Sequence, residues 1–200
     1  MRDQERWDGK YNTEELIHGD QPAQFLLDNS ALLPSRGLAL DIACGEGQNA
    51  VFLAECGVEV IALDISVRAL QKCRQLAERR GVRVDLAALD LSTFHIPRSS
   101  FDVIVNFNYL DRALVPGIVE GLKPGGLLVF ETMTIAHLKW KPDFNREFLL
   151  KSGELVELFG GKLDILVSRE CDIEIWSASR SVASLAARKA NGHKRQIALA

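Results

Sequence analysis

Short apolar runs alternate with segments of helical periodicity along most of this chain. Most runs are apolar at nearly every position, which is typical of strands buried on both faces of a sheet. Strands are predicted at residues 38–42, 58–63, 82–87, 101–107, 127–132, 162–171 and 182–188. Helical patterns lie between most of them, at residues 48–56, 66–80, 110–122 and 152–159. Ser66 and Gly81 are typical caps for the second of these helices, and Pro116 marks a start or kink in the third.

This alternation predicts an α/β fold with a doubly wound sheet. Strand–helix–strand units form right-handed crossovers, which produce a parallel sheet covered by helices. The last two predicted strands have no helix between them, so we expect an antiparallel strand at that edge. The prediction is one domain over residues 1–200 with a mostly parallel, seven-stranded sheet. It includes an N-terminal arm or lid at 1–30 and a flexible tail at 190–200.

Composition and charge narrow the expected partners. The formal net charge is −3, and the basic cluster at 188–195 follows the last apolar run, so we expect no nucleic-acid partner. No apolar run is long enough to cross a bilayer, and the charged N-terminus does not resemble a signal peptide. We therefore expect no membrane partner and a cytoplasmic location. The four cysteines are widely spaced, which predicts neither a disulfide framework nor a metal site.

The most informative segment joins the first predicted strand to the helix that follows it. Residues 38–50 read LALDIACGEGQNA, in which an apolar run leads through Asp41 to Gly45 and Gly47. Glycine permits positive φ and a close approach of the backbone to a ligand. The second predicted strand is also followed by an acid, Asp64. Two carboxylates at the carboxyl ends of neighbouring parallel strands suit a ligand that carries a ribose.

Two kinds of nucleotide-like ligand fit this segment. Residues 45–50 match the GxGxxA pattern of dinucleotide-binding proteins, so an NAD-dependent oxidoreductase is one alternative. Asp41, Glu46 and Asp90 argue against it, because they would place negative charge around a pyrophosphate. A cationic nucleoside explains an acidic crevice better. S-adenosylmethionine has a sulfonium, an ammonium, a ribose and an adenine, and no phosphate.

The order of motifs along the chain resembles that of the class I S-adenosylmethionine-dependent methyltransferases. The motifs are DIACGEG at 41–47, VIALDIS at 60–66, ALDL at 88–91, FDVIVNF at 101–107 and LKPGGLLVFET at 122–132. RWDGKY at 6–11 and NYLDR at 108–112 are similar to the bacterial tellurite-resistance and thiopurine methyltransferase-like branch. The resemblance covers nearly the whole chain. It implies methyl transfer to a small molecule, with a thiol, selenium or tellurium compound as the acceptor and S-adenosylhomocysteine as the product.

The resemblance also implies which residues bind the cofactor. Gly45 and Gly47 would shape the loop under its methionine part, with Asp41 near the ammonium or a bridging water. Asp64 would accept hydrogen bonds from both ribose hydroxyls; its alternative role is to cap the following helix. The implied cofactor-binding set is Arg6, Trp7, Tyr11, Asp41, Ala43, Gly45, Gly47, Asn49, Asp64, Ile65, Asp90, Leu91, Asn106 and Phe107.

For other residues of this set, a structural role is an alternative to cofactor binding. Asp90 would accept from the adenine amino group, and its alternative is an exposed turn acid. Asn106 would face the methyl donor. Trp7 and Tyr11 would fold over the cofactor, where aromatic faces attract a sulfonium; equally, they would pack the arm onto the sheet.

No catalytic base is assigned from the sequence. Methyl transfer depends mainly on alignment of the nucleophile, the methyl group and the leaving sulfur, and soft nucleophiles need little help from a base. Base candidates near the predicted strand ends are Glu131, His137 and His95. Candidates for lining an acceptor pocket are Arg112, Trp140 and Arg146. A protein that binds S-adenosylmethionine without turnover remains a further alternative.

Overall fold

Seven strands and six α-helices make up the computed structural model, which describes residues 2–175 and 178–191. The strands are β1 Leu38–Ile42, β2 Glu59–Asp64, β3 Asp85–Ala88, β4 Phe101–Phe107, β5 Leu122–Met133, β6 Asp164–Ile175 and β7 Ala178–Arg188. The helices are α1 Arg2–Lys10, α2 Gln24–Asp28, α3 Gln48–Glu55, α4 Val67–Arg80, α5 Val115–Gly121 and α6 Glu154–Phe159. Short 3₁₀ helices lie at Ser30–Leu32, Arg112–Leu114, Ile135–Lys139 and Arg146–Phe148. Most of the tail predicted at 190–200 lies outside the described residues.

All the strands belong to one sheet in the order β3-β2-β1-β4-β5-β7-β6. The first five strands pair in parallel, and β7 is antiparallel to both β5 and β6. This confirms the predicted α/β fold with a mostly parallel, seven-stranded sheet. The antiparallel addition is the pair β7 and β6, with β7 inserted beside β5.

Both faces of the sheet are buried at its central strands, because side chains alternate between the two faces along each strand. The edge strand β6 is largely exposed. In β1, Leu40 and Ile42 belong to the cluster that packs against α5 and α6, and Ala39 belongs to the cluster on the opposite face. All three side chains are fully buried. The uniformly apolar strands of the sequence are explained by this two-sided burial.

Most predicted elements are present, and the differences have local causes. Ser66 Oγ accepts a hydrogen bond from the Ala69 N–H at 3.1 Å, and Gly81 ends α4 with φ +69°. The helix predicted at 110–122 is instead a 3₁₀ turn followed by α5, because Pro116 stands in the first turn, where its missing N–H costs nothing. The third strand is shorter than predicted, and β6 and β7 are longer. In the described part of the chain, every helix is too short or too polar for a membrane span.

Candidate functional site

The carboxyl ends of β1, β2 and β4 bring three polar side chains to one edge of the sheet. In the sheet register Ile42 is paired with Leu63 of β2 on one side and with Asn106 of β4 on the other. Asp41 and Asp64 therefore lie on adjacent strands, and Asn106 lies across β1 from Asp64. These strand ends are the place at which the acidic crevice is predicted.

A loop with left-handed backbone conformations crosses this edge between β1 and α3. Ala43, Gly45 and Gly47 have φ values of +54°, +56° and +85°. A Cβ atom on Gly47 would lie 2.0 Å from the Cys73 Sγ, so no side chain fits there. The Cys44 N–H donates to the Leu63 carbonyl at 2.9 Å, which ties the loop to β2. The predicted glycine turn is thus required by both conformation and space.

Asp64 is held by the backbone on both sides. Its Oδ2 accepts from the Gly45 N–H and its Oδ1 from the Ser66 N–H, each at 2.8 Å. Burial raises the pKa of Asp64, and these hydrogen bonds partly offset the rise. Since each carboxylate oxygen has two lone pairs, each keeps one acceptor site for a ligand. The alternative role of Asp64, as the cap of the following helix, is filled by Ser66, whose own hydroxyl caps α4.

Asp41 is buried with an unsatisfied oxygen. Its side chain is 1 % exposed, and its Oδ2 has no hydrogen-bond partner among the described residues. Burial raises the pKa of Asp41 well above its ordinary value, and the neighbouring Asp64 raises it further. The backbone of Ala50 offers the carboxyl group one hydrogen bond, but a buried carboxylate oxygen without a partner is unfavourable, so this site favours a cation or a hydrogen-bond donor.

The end of β4 carries a second unsatisfied polar group. Asn106 is 2 % exposed; its Nδ2 donates to the Tyr109 carbonyl at 2.8 Å, and its Oδ1 has no partner within the described ranges. Phe107 beside it is buried. Burial and nearby acids, Asp111 and Asp90 foremost, raise the pKa of Tyr109 to about 12. The phenol therefore stays neutral at the rim of the crevice.

The remaining predicted adenine contacts lie beyond β3. Asp90 is exposed, and its Oδ1 accepts from the Ser92 N–H at 2.9 Å. The side chain and then the backbone of Ser92 lower the pKa of Asp90 by hydrogen bonding. The Leu89 N–H donates to the Asp64 carbonyl at 3.0 Å, which keeps this turn beside β2. Leu91 is buried and Ile65 is half-buried.

The N-terminal arm lies against the glycine loop. The Tyr11 hydroxyl is 3.0 Å from the position that a Cβ on Gly45 would take, and the Tyr11 ring stacks on Trp7 with centroids 6.1 Å apart. Asp8 accepts from the Ser66 hydroxyl at 2.7 Å, which joins α1 to α4. Arg6 instead contacts its own helix, at 3.3 Å from Asp3. Tyr11 therefore reaches the predicted site, Trp7 stacks on Tyr11, and Arg6 remains on the exposed side of α1.

Glu46 has a structural role that the sequence did not indicate. It is 1 % exposed, its carboxylate accepts from the backbone N–H groups of Ile17 and His18, and it forms an ion pair with Lys72 at 3.0 Å. The expectation that Glu46 adds negative charge to the crevice is therefore wrong. Asn49 also binds the arm, because its Oδ1 accepts from the Ala23 N–H at 2.9 Å.

Comparison with known proteins supports the predicted family. Residues 39–126, less than half of the chain, match the model of a methyltransferase domain. The comparisons confirm the predicted resemblance to the class I S-adenosylmethionine-dependent methyltransferases and the predicted cofactor, S-adenosylmethionine.

Three curated relatives illustrate the range of this methyltransferase family. The probable S-adenosylmethionine-dependent methyltransferase TehB of Haemophilus influenzae is 29 % identical over 117 residues, 57 % of this chain and 38 % of TehB. A ubiquinone biosynthesis O-methyltransferase of Idiomarina loihiensis is 29 % identical over 50 % of this chain and 44 % of that protein. The tRNA 5-carboxymethoxyuridine methyltransferase of Escherichia coli is 31 % identical over 48 % of this chain and 40 % of that protein. The matched region thus spans less than half of each relative.

Solved structures show the same fold. A structure from work on the conversion of a disulfide into a thioacetal in echinomycin biosynthesis has a TM-score of 0.69 at 18 % identity, and the match covers 96 % of this chain and 93 % of that one. The crystal structure of TehB from Haemophilus influenzae also has a TM-score of 0.69, at 19 % identity, over 93 % of this chain and 66 % of that one.

The candidate site suits S-adenosylmethionine in two respects. The unpaired Asp41 Oδ2 suits a cationic ligand group, and the spare acceptor sites of Asp64 suit a ribose diol. In the part of the chain that the structure describes, no three His, Cys, Asp or Glu side chains are grouped as metal ligands would be.

The base candidates occupy different surroundings. Glu131 is buried, which raises its pKa, and its Oε2 accepts from the Ser184 hydroxyl at 2.5 Å. His137 is buried with an Nδ1 that has no partner among the described residues, and burial lowers its pKa. His95 is exposed beyond β3. None of these contacts identifies a base that faces the predicted crevice. No catalytic base is therefore assigned.

The candidate acceptor residues are not brought together at the crevice. Arg112 forms two hydrogen bonds with the Glu154 carboxylate, at 2.6 and 3.0 Å, and donates to the carbonyls of Glu147 and Leu149. Trp140 donates to the Ser181 hydroxyl at 3.2 Å, and Arg146 is exposed. Arg112 is therefore a structural residue that holds α6 and the preceding turn.

Proposed function

We propose that this protein transfers a methyl group from S-adenosylmethionine to a small-molecule acceptor. The observation that carries the proposal is the pair of buried acids under the glycine loop, one with an unpaired oxygen and one with spare acceptor sites. Asp41 and Asp64 lie on adjacent strands, where a single ligand can reach both. The family match supports the same reaction class.

Each part of the site has a role in this proposal. Asp64 binds the ribose hydroxyls, and Asp41 offsets the positive charge of the methionine part. Asp90 and Ile65 border the adenine, and Asn106 borders the reacting end. Bound S-adenosylmethionine supplies a methyl group on a cationic sulfur; the protein aligns the acceptor with that methyl.

The arm completes the enclosure. In this proposal Tyr11, whose hydroxyl lies against Gly45, and Trp7, which stacks on Tyr11, exclude water from the cofactor and attract its cationic sulfur. Tyr11 is buried, and the two rings stack on each other. We propose that residues 1–30 act as the lid of a single domain.

A thiol, selenium or tellurium compound is our proposed acceptor class. The relative TehB and the N-terminal RWDGKY segment support this branch. The tRNA methyltransferase among the relatives acts on a nucleic acid, whereas the net charge of −3 here favours a small acceptor. The cytoplasmic location predicted from the sequence stays part of this proposal.

The sheet order disfavours the oxidoreductase alternative. Dinucleotide-binding sheets of the common type have the order 3-2-1-4-5-6. Here β7 is inserted between β5 and β6, and the uncompensated Asp41 would face a pyrophosphate.

Calorimetry and a turnover panel test this proposal. We expect S-adenosylmethionine and S-adenosylhomocysteine to bind the full chain, and NAD not to bind. We expect S-adenosylhomocysteine to form with a thiol, with selenite or tellurite, but not with a phenol or tRNA. Asp64→Ala should weaken both cofactor forms by roughly tenfold or more, since it removes charge-assisted contacts. Cofactor binding without turnover on any acceptor would instead support the binding-only alternative.

A further inference from the structure

Buried side-chain atoms without a hydrogen-bond partner gather at the carboxyl ends of the central strands. In the described part of the chain these atoms are Asp41 Oδ2, Asn106 Oδ1, Thr132 Oγ1 and His137 Nδ1. The first three belong to the second-last residues of β1, β4 and β5, which are neighbours in the sheet, and the last follows β5. Folded proteins pair the great majority of their buried polar groups. The concentration of unpaired atoms at one edge of the sheet therefore favours a bound molecule that supplies the partners.

Asn106 and Thr132 lie on the same face of adjacent strands. β4 pairs in parallel with β5, with Asn106 opposite Phe130, so Thr132 is two residues farther along β5. Ile104 and Phe130 belong to the cluster that packs against α5 and α6, and side chains two residues apart in a strand share a face. Asn106 and Thr132 therefore both project to that face. Adjacent strands are about 4.8 Å apart, so one small molecule can reach both side chains.

The amide group of Asn106 is held in one orientation. Its Nδ2 donates to the Tyr109 carbonyl at 2.8 Å, and only the nitrogen of an amide side chain can donate to a carbonyl. The Oδ1 atom is the other end of this group, and it has no partner among the described residues. An amide oxygen only accepts hydrogen bonds, so the partner that it lacks is an O–H or N–H donor.

Thr132 carries a hydroxyl group on an otherwise apolar face of β5. Its neighbours on that face, Leu128 and Phe130, are buried apolar residues; Thr132 is 1 % exposed, and its Oγ1 has no partner in the described ranges. A valine would keep the branched shape without burying a hydroxyl, so the hydroxyl is not required for packing. Thr134 differs, because its hydroxyl donates to the Ser181 carbonyl at 3.5 Å.

The position of Asn106 and Thr132 in the sheet separates them from the proposed cofactor contacts. Asp64 ends β2, and Asp41 lies on the adjacent strand β1. Asp41 shares a face with Ala39, which belongs to the cluster on the opposite side of the sheet. In our proposal the cofactor spans the ends of β2 and β1. The ends of β4 and β5 are then left for the molecule that receives the methyl group.

We propose that Asn106 and Thr132 bind a neutral hydrogen-bond donor of the methyl acceptor, a hydroxyl or N–H group near its nucleophilic atom. This inference rests on the proposed function, because it names a property of the acceptor at the same site. Asn106 Oδ1 accepts from the donor, and the Thr132 hydroxyl binds the same polar end of the acceptor. Since both protein atoms are buried, an acceptor without such a group leaves them unpaired and binds less tightly. The two residues therefore select acceptors and fix their orientation.

Matched thiols test this inference on the full chain saturated with S-adenosylhomocysteine. Calorimetry compares 2-mercaptoethanol with 1-propanethiol, which has a methyl group in place of the hydroxyl and is otherwise of the same size. We expect the hydroxyl thiol to bind at least roughly tenfold more tightly. Equal affinity for the two thiols, or binding of neither, would overturn the inference.

Variants of Thr132 identify the group that is responsible. Thr132→Val should reduce the preference by roughly threefold or more, whereas Thr132→Ser, which keeps the hydroxyl, should retain it. Thr134→Val removes a hydroxyl that is already paired and is the matched control, which should leave the preference unchanged. Because the Thr132 hydroxyl has no partner in the free protein, Thr132→Val should leave the melting temperature unchanged or raise it, and Thr134→Val should not raise it. An undiminished preference in Thr132→Val would contradict the inference.

This inference and the proposed function fail in different ways. Failure of the unmodified protein to bind S-adenosylhomocysteine would overturn the proposed function. Intact binding without a preference for the hydroxyl thiol would overturn only the inference about the acceptor. If Thr132→Val weakens S-adenosylhomocysteine and leaves the thiol preference unchanged, Thr132 binds the cofactor and the inference is wrong.

A crystal of the S-adenosylhomocysteine complex soaked with 2-mercaptoethanol gives a second readout. A hydroxyl oxygen of the thiol within hydrogen-bond distance of Asn106 Oδ1 would support the inference. A water molecule that remains at that atom, with the thiol elsewhere, would show that these polar groups bind internal water and would overturn it.

Discussion

Asp41 carries a buried carboxyl group at the centre of the site, one oxygen of which has no partner in the described part of the chain. Such a group lowers the stability of the free protein when it ionises. A cationic ligand removes that cost by supplying the missing charge. Asp41 is therefore a residue at which stability and ligand affinity oppose each other.

Asp41→Asn should stabilise the free protein and weaken its cofactor binding. The folded pKa of Asp41 is raised, so its favourable contribution is complete below the ordinary pKa of about 3.9 and is lost as pH rises through the folded value. The variant should gain about 1–3 kcal/mol at pH 8, and less at pH 5. Thermal unfolding at both values measures this. A variant no more stable than the original at pH 8 would contradict the cost assigned to Asp41.

At the scale of elements, one buried ion pair joins the arm, the glycine loop and α4. Lys72 and Glu46 have side chains 9 % and 0 % exposed, and Lys72 also donates to the Thr13 hydroxyl and the Glu15 carbonyl. The nearby pair of Arg80 and Asp20 also joins the arm to α4, but its side chains are 35 % and 50 % exposed. Breaking a buried pair leaves an uncompensated charge, whereas breaking an exposed pair costs little.

Lys72→Met should loosen the arm without removing the sheet. We expect faster amide hydrogen exchange in residues 11–20 and a loss of about 3–5 kcal/mol in the free energy of unfolding. Arg80→Met, the matched control, should change stability by about 1 kcal/mol or less. Equal exchange in both variants would mean that the buried pair does not hold the arm.

Elements with local signals were predictable, and contacts between distant segments were not. β4 was predicted at its observed bounds, and α4 was identified from its Ser66 and Gly81 caps. The contact of Gly45 with Asp64 follows from motifs that end adjacent strands. The Glu46–Lys72 pair joins residues 26 apart in sequence, and nothing near Glu46 indicates its partner. The available sequence signal for this pair was Lys72, the single lysine of α4, which lies beside the apolar stripe of that helix.

At the scale of the whole molecule, the acids Asp41 and Asp64 of β1 and β2 lie together at one edge of the sheet. The net charge of −3 does not reveal where these charges lie. A methyl donor with a cationic sulfur would be drawn to this edge.

Stabilisation by S-adenosylmethionine should depend on pH. Burial raises the pKa values of Asp41 and Asp64, and a cationic ligand favours their ionised forms. At fixed ligand excess, the rise in melting temperature should therefore grow from pH 5 toward pH 8, and binding should release protons. Scanning calorimetry gives the first quantity, and titration in buffers of different ionisation enthalpy gives the second. A rise in melting temperature that is the same at every pH would show that the ligand does not change the ionisation of Asp41 and Asp64.

The position of β7 has a consequence for biosynthesis. In the described sheet β6 pairs with β7 alone, and β7 comes after it in the chain. While the ribosome is still adding β7, β6 has no neighbour to join. The parallel strands β1 to β5 can pair early, but the sheet is complete only when β7, the last strand to be made, has been added. A chain that stops short of β7 therefore loses two strand pairings, with β5 and with β6, rather than one.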